Sequence, residues 1–268
     1  MPQRLKWLPV GAALAATLLL TACERERAEP PQHKAEAPAK PAKPVAPAIR
    51  DDSLDRRGVI LAALQAMTDA ALGHDDAEAQ RALRGRKFSV RIRFGCPGVK
   101  DPDRYWSYDD KRQVLRVRAR STLTAEALPK SDLIASEYQG MAGFALARPW
   151  LLSSGCPVDG FGTMASGAPA IVIAQLFTKA DSRVQRPQSD YALTKSLEPN
   201  AQPGDGLDLV LSGRLAELSD GRPIHCGAQA GAPACIVSAR IDRVAIENPA
   251  SGETLGEWGS GAGAGGAN

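Results

Sequence analysis

Apolar residues recur at helical spacing before Gly85 and at strand spacing after it. Six of them form one stripe at the helical period: Ile60, Leu61, Leu64, Met67, Ala71 and Leu72. This stripe predicts an amphipathic helix, with acceptors for its N-cap at 51–53 and a glycine stop at Gly73. Asp75 and Glu78 have the spacing of a capping box and predict a second, short helix.

Alternation of apolar and polar residues predicts the strands that follow. It is strict in "KFSVRIRF" (87–94), which is typical of a strand with one buried and one solvent-facing side. "YWSYDDKRQVLRVRAR" (105–120) predicts a hairpin that turns at 109–111. "AIVIAQLF" (170–177) is apolar on both sides, which favours a central strand covered on both faces. The polar stretch 178–200 predicts either a long surface loop or strands that its pattern does not reveal.

The last third of the chain predicts further strands and tight turns. Leucines alternate through 207–215, where Gly213 is a candidate bulge, and Asp220-Gly221 favours a hairpin turn. "CIVSARIDRVAIEN" (235–248) predicts a long strand whose alternation slips partway. Helices first and hairpin-linked strands afterwards predict an α+β, β-rich fold, with an antiparallel sheet or sandwich and one or two N-terminal helices.

The N-terminus has the features of an export signal. Arg4 and Lys6 precede an uncharged, mostly apolar run of 16 residues. This run is shorter than the roughly 20 residues of a membrane-spanning helix and has the proportions of a signal peptide. It ends in "LTAC", Leu20 to Cys23, which resembles the lipobox of bacterial lipoprotein precursors. The resemblance covers residues 1–23 only. It implies cleavage before Cys23 and acylation of that cysteine, and Glu24 implies sorting to the outer membrane.

Composition and this resemblance together divide the chain into four parts. They are a signal peptide at 1–22, a lipidated and disordered Pro/Ala/Lys-rich tether at 23–50, a single globular periplasmic domain at 51–258 and a flexible Gly-rich tail at 259–268. The formal net charge of +3 includes two basic residues of the signal peptide, so the mature chain is nearly neutral. A balance so close to zero gives no reason to expect nucleic acid as a partner.

Four cysteines remain once Cys23 is assigned to lipid. An even number in the oxidising periplasm is typical of a disulfide framework, and four cysteines allow three connectivities. Cys226 and Cys235 flank a short Gly/Ala/Pro loop between two predicted strands. Their local pairing is geometrically easy, and it leaves Cys96 to pair with Cys156. We therefore expect a disulfide-braced domain.

Other chemistry at these cysteines has less support in the sequence. No two of them have the short spacing of zinc ligands, and C-x-x-C is absent. His225 is adjacent to Cys226, but neighbours on a strand point to opposite faces, which argues against a catalytic dyad. No P-loop, dinucleotide fingerprint or nucleophile elbow occurs. We expect no metal, no cofactor and no assignable catalytic residue.

Arginines provide the one functional feature with a physical basis. Five of them occupy polar positions of two predicted strands: Arg91, Arg93, Arg116, Arg118 and Arg120. If these strands are sheet neighbours, the guanidinium groups lie within about 15 Å and form an anion-binding patch for phosphate or carboxylate. The alternative is a soluble sheet face, on which the arginines pair with acids such as Asp109, Asp110 or Asp242.

Two functions follow as hypotheses. The first is a non-catalytic, outer-membrane-anchored periplasmic lipoprotein that binds an envelope polymer or an envelope protein, or that has a structural role. The second is a cell-envelope hydrolase that uses a pair of carboxylates, since Asp and Glu are plentiful.

Overall fold

The computed structural model describes most of the predicted domain. The described residues are 53–74, 76–121, 138, 140–158, 170–178, 180, 190–198, 201–229 and 232–259. All of them lie in one unit, Ile49–Asn268, which contains the core, the ion pairs and both disulfides given below. The predicted signal peptide, the lipidated Cys23, the tether and the tail after Gly259 lie outside the described residues.

Two helices and ten strands form within the described residues. They are α1 (Arg56–Leu72), α2 (Ala77–Ala82), β1 (Lys87–Phe94), β2 (Arg104–Asp109), β3 (Val114–Arg120), β4 (Gly140–Ala145), β5 (Ala170–Phe177), β6 (Asp190–Ser196), β7 (Leu207–Leu215), β8 (Ile224–Gln229), β9 (Ala232–Asn248) and β10 (Glu253–Gly259). The strands predicted at 87–94 and 170–177 are confirmed, as is the hairpin of β2 and β3. Helix α2 forms with Asp76 as its N-cap residue in place of Asp75.

The strands form two sheets. Seven strands make the larger sheet, in the order β1-β7-β9-β5-β4 with β8 and β10 also paired to β9. The smaller sheet has the order β2-β3-β6. The predicted α+β, β-rich and disulfide-braced fold is confirmed. One pairing differs from the expected antiparallel arrangement, because β5 and β9 run parallel. No hairpin joins these two strands, so no short turn fixes their relative direction.

Strand β9 is the axis of the larger sheet. β7 and β8 follow one another along one of its edges, where Ser238 accepts from the Ala216 N–H and donates to the Pro223 carbonyl. β5 and β10 occupy the other edge. The turn predicted at Asp220-Gly221 forms, with Gly221 at a φ of 78°. It carries the chain from β7 to β8 along the same edge, however, and does not make a hairpin between them.

The predicted bulge lies between β7 and β9. Their register shifts between Ser212 and Gly213, so Asp242 of β9 has no residue opposite it on β7. Gly213 is required at this position, since a Cβ would collide with the carbonyl oxygen of Arg240. The bulge explains the slip in the alternation of β9, and it turns Arg240 and Arg243 to the same face of the sheet.

Helix α1 packs through a different stripe from the predicted one. Asp55 caps it in place of 51–53, while Gly73 ends it in the left-handed conformation, as predicted. Leu61 and Leu72 of the predicted stripe are 46% and 62% exposed. The apolar residues that α1 buries are Val59, Ile60, Ala63 and Ala66. Because the helix is apolar on nearly every side, its sequence did not define which stripe faces the sheet.

The two sheets and α1 enclose one main core. Helix α1 and the smaller sheet both pack against the inner face of the larger sheet. The pattern of the polar stretch 178–200 did not predict β6, because only one side chain of that strand, Tyr191, is fully buried. The Tyr191 ring lies 5.8 Å from Phe144 and 5.4 Å from Trp258, at the contact between the sheets. Since the sheets meet through their inner faces, their outer faces point away from each other.

Arg56 joins the N-terminus of α1 to β1 and to the segment after β4. Its side chain donates to four carbonyl oxygens: those of Arg91, Ala147, Arg148 and Leu151. The residue is 6% exposed. Burial, together with the nearby Arg148, lowers the pKa of Arg56 to about 10, which still leaves its guanidinium charged at neutral pH. A charged donor thus holds three separate stretches of backbone together.

Replacing Arg56 by alanine is expected to lower the free energy of unfolding by about 3 kcal/mol or more, since four carbonyl oxygens lose a charged donor. Arg57 is the matched control because it is exposed on the same turn of the helix. Arg57→Ala is expected to change stability by less than about 0.5 kcal/mol. Urea unfolding of the oxidised protein, followed by circular dichroism, measures both. Equal stability of the two variants would contradict this role for Arg56.

Candidate functional site

The five arginines of the predicted anion site lie in two different sheets. Arg91 and Arg93 are on β1, which pairs with β7 in the larger sheet. Arg116, Arg118 and Arg120 are on β3, which pairs with β2 and β6 in the smaller sheet. The two strands are therefore not sheet neighbours. The single five-arginine patch that depended on their adjacency does not form.

Arg91 and Arg93 are neutralised by carboxylates on the same face of the larger sheet. The Oδ1 of Asp208 lies 2.7 Å from Arg93, and Glu247 lies 2.5 Å from Arg91. Ser154 also donates to Asp208, at 2.9 Å. These two arginines therefore belong to a structural ion-pair network, and neither is available as a free anion-binding group.

The acids expected to neutralise the arginines have other partners. Each of the three lies on or beside a turn or bulge, and the observed contacts are Asp109 with Arg112, Asp110 with Gln202 and Asp242 with Arg240. The expectation of pairing with these acids is wrong. Two of these contacts are local, since Asp109 and Arg112 are three residues apart and Asp242 and Arg240 are two residues apart.

Three arginines share the outer face of the smaller sheet, and one carboxylate serves two of them. Asp190 accepts two hydrogen bonds from Arg118 and lies 3.9 Å from Arg120. The Arg118 guanidinium holds the pKa of Asp190 below its usual range, so this pair stays charged at neutral pH. Arg116 is exposed and has no acidic partner among the described residues. The described residues of this face therefore include three arginines and two carboxylates, Asp190 and Asp109, so positive charge is in excess among them.

Small polar residues and one aromatic ring surround these arginines. Arg116 lies between Ser107 and Thr194 of the neighbouring strands, and Arg118 lies beside Tyr105. Tyr105 is 44% exposed and is the one exposed Phe, Trp or Tyr in the described part of the chain. We call this surface the arginine face, and its members are Tyr105, Ser107, Asp109, Val114, Arg116, Arg118, Arg120, Asp190, Ala192, Thr194 and Ser196.

Both predicted disulfides form. Cys96–Cys156 joins the end of β1 to the segment after β4, with a Cα–Cα distance of 5.5 Å. Cys226–Cys235 joins directly opposite residues of the β8–β9 hairpin. The connectivity predicted from the spacing is therefore confirmed. With all four sulfurs bonded in pairs, none of them is a free nucleophile.

Asp208 and Glu247 are a carboxylate pair of the kind that the hydrolase hypothesis requires, since they lie directly opposite each other on β7 and β9. Arg91 contacts both, at 3.7 Å from Asp208 and 2.5 Å from Glu247. Their side chains are only 4% and 13% exposed. A polymer chain cannot reach two carboxylates that are buried in this way, so this pair does not serve as an accessible acid and base.

A pocket of about 70 Å³ lies between the end of α1, α2 and β8. His74 and His225 line it, and the Nδ1 of His225 is 3.4 Å from Asp220. Its volume is far below the roughly 300 Å³ at which ligand sites begin. It suits water instead, which would satisfy the buried Oε1 of Gln80, an atom without a hydrogen-bond partner among the described residues. In the described stretches, no three His, Cys, Asp or Glu residues are arranged to hold a metal ion.

The sequence did not reveal a second set of cations, on the outer face of the larger sheet. Lys87, Arg214 and Arg240 occupy one register on β1, β7 and β9 and therefore lie side by side. We call these three residues the cationic row. Each occupies a polar position of its own strand, as exposed lysines and arginines commonly do. Only the pairing of three strands that are distant in the sequence brings them together.

In comparisons with known proteins, no family model, no curated protein and no solved structure matches the chain. Within the described residues, no helix combines the length and the apolar character that crossing a bilayer requires. A functional conclusion therefore has to come from the surfaces described above.

Mass spectrometry of the proteolysed, unreduced protein is expected to show Cys96 linked to Cys156 and Cys226 linked to Cys235. Replacing both cysteines of a pair by serine is expected to destabilise the fold by about 4 kcal/mol for the first bond and about 3 kcal/mol for the second. The difference follows from the sequence separations of 60 and 9 residues, because the longer loop restricts the unfolded chain more. A peptide that links Cys96 to Cys226 or Cys235 would overturn the assignment.

Proposed function

We propose that this protein is a non-catalytic module of the bacterial cell envelope, anchored by lipid at Cys23, that binds an anionic envelope polymer through the arginine face. The observation that carries the proposal is the excess of positive charge on that face. Asp190 serves both Arg118 and Arg120, and Arg116 has no acidic partner in the described part of the chain. Closely spaced like charges repel one another, and an anionic ligand removes that cost.

The chemistry of the arginine face suits a polymer that carries carboxylates. Arg116, Arg118 and Arg120 alternate along β3, so their Cα atoms are about 6.6 Å apart. Each guanidinium can donate two parallel hydrogen bonds to one carboxylate. The peptides of peptidoglycan carry such carboxylates, and the exposed Tyr105 ring offers a flat surface against which a sugar ring packs. Exposed ion pairs contribute only about 0–1 kcal/mol each, so several must act together.

The anchoring part of the proposal rests on the N-terminal sequence. The lipobox-like "LTAC" implies acyl chains on Cys23, and each buried methylene of such a chain contributes about 0.8 kcal/mol to membrane binding. The Pro/Ala-rich stretch 24–50 is a semi-extended spacer that reaches several tens of ångströms at about 3 Å per residue. A module attached in this way stays at the outer membrane and still reaches the polymer layer beneath it.

Neutralising two arginines of the face, Arg116→Gln with Arg118→Gln, is expected to reduce retention on purified peptidoglycan sacculi severalfold at low salt, since exposed charges are less screened there. The matched control is Arg57→Gln with Arg81→Gln, which removes the same charge from exposed helix positions. Asp190→Asn should act in the opposite direction and increase retention, because it frees Arg118 and Arg120. Co-sedimentation measures all three. Unchanged retention of the arginine-face variant would contradict the proposal. An equal loss in the control would show that retention depends on net charge and not on the arginine face.

Wild-type protein is expected to incorporate radiolabelled palmitate in growing bacteria. Cys23→Ser is expected to abolish the label, because the proposed acyl chains are attached to Cys23. Cys226→Ser is the control, since it removes a cysteine that belongs to a disulfide. Labelling of the Cys23→Ser variant, or an unlabelled wild type, would contradict lipid anchoring. Neither result bears on polymer binding by the arginine face.

A further inference from the structure

The cationic row places three positive charges where a sheet ordinarily avoids them. Lys87 is directly opposite Arg214, and Arg214 is directly opposite Arg240. Like charges in such cross-strand positions are destabilising, and neighbouring strands are only about 4.8 Å apart. All three residues are exposed. Lys87 and Arg214 have no acidic partner among the described residues, so most of this repulsion is uncompensated within the described protein.

The bulge of β9 contributes directly to the row. Arg240 and Arg243 are three residues apart and would point to opposite faces of a regular strand. Because the register skips Asp242, both lie on the outer face, Arg240 opposite Arg214 and Arg243 opposite Ser212. Asp242 pairs with Arg240 at 3.0 Å, which offsets one of the three charges of the row.

Hydroxyl groups adjoin the row, and a further cation, Arg84, lies three residues before Lys87 along the chain. Ser89 and Ser212 occupy the next register position on the same face, and their hydroxyl oxygens are 3.2 Å apart. Arg84 lies near the start of β1 and is paired with Glu217 at 3.0 Å. The surface therefore offers cationic and hydroxyl donors together, which is the combination that phosphate oxygens accept from.

We propose that the cationic row binds the phosphate layer of an anionic lipid membrane. The three side chains of the row are exposed and line no cavity that the structure describes, so the row meets an array of phosphates at a surface more readily than one enclosed ion. Isolated phosphate on exposed cations is weakly held and strongly screened. Each Lys or Arg near an anionic bilayer, in contrast, contributes about 1 kcal/mol to binding. The row carries no exposed aromatic ring, unlike the arginine face with its Tyr105.

The two surfaces then have different partners. They lie on the outer faces of two different sheets, whose inner faces meet at Tyr191 and Trp258. A domain that holds lipid phosphates with one face leaves the other free for a polymer. The inference does not depend on the proposed polymer binding or on lipidation of Cys23, because it concerns other residues.

The test uses residues 49–268, the unit that contains the whole described core and both disulfides. Its partition onto phosphatidylcholine vesicles with and without phosphatidylglycerol is measured by co-sedimentation at low and at physiological salt. Three double variants remove two charges each: Lys87→Gln with Arg214→Gln, Arg116→Gln with Arg118→Gln, and Arg57→Gln with Arg81→Gln. The first is expected to weaken binding to the anionic vesicles about 30-fold, and the other two by less than about threefold.

Stability and competition supply further readouts. The Lys87→Gln, Arg214→Gln variant is expected to unfold at the same or a higher urea concentration than the wild type, because it relieves repulsion. A marked loss of stability would show that the row stabilises the fold, and it would overturn the proposal. The proposal would also be overturned by equal vesicle binding of all three variants, by no preference for anionic vesicles, or by displacement with millimolar inorganic phosphate. Failure of this test leaves retention on sacculi by the arginine face unaffected, so the two proposals are separately falsifiable.

Discussion

Strand β9 has to satisfy the backbone hydrogen bonds of 17 residues in the middle of the larger sheet. A buried amide or carbonyl without a partner costs about 1–3 kcal/mol, so both edges of this strand need partner strands. β7, the longest of its partners, has nine residues. Each edge is therefore completed by two strands in succession, β7 with β8 and β5 with β10. This requirement accounts for a tight turn that continues an edge, because β8 takes over from β7 along β9.

Polar contacts then fix the segment after β4 onto this sheet. The segment 146–158 contains no strand or helix, and it is held by Arg56, by the Cys96–Cys156 bond and by Ser154, which donates to Asp208. Arg148 is buried as well and donates to the carbonyl oxygen of Arg93. The same network neutralises two of the five arginines that the sequence marked as candidates. Arg91 and Arg93 therefore stabilise the fold, and the proposed binding surfaces consist of other residues.

Charge is distributed unevenly over the two outer faces. On β1, β7 and β9, one end of the face is a closed network around Asp208 and Glu247, and the other end carries the cationic row. On the smaller sheet, Asp190 lies at one end of a strip of three arginines. Arg93 and Arg120 have a carboxylate directly opposite them, whereas Arg91 and Arg118 reach a carboxylate diagonally. Arg116, Lys87 and Arg214 have no acidic partner among the described residues, and they mark the surfaces on which the two proposals rest.

The features that depend on neighbours along the chain could be predicted from the amino-acid sequence. Strict alternation predicted β1 and the β2–β3 hairpin, the small Gly213 predicted the bulge, and the spacing of Cys226 and Cys235 predicted both disulfides. These predictions hold because side-chain period, turn chemistry and short loops act locally.

The buried stripe of the apolar α1, the parallel direction of β5 and β9 and the strand β6 became clear only from the folded chain. So did the partners of Arg91, Arg93, Arg118 and Arg120. Arg91 finds Glu247 across 156 positions of sequence, and Lys87 meets Arg214 only through the pairing of β1 with β7. Register between distant strands follows from burying one continuous core, and no pattern within a single strand contains it.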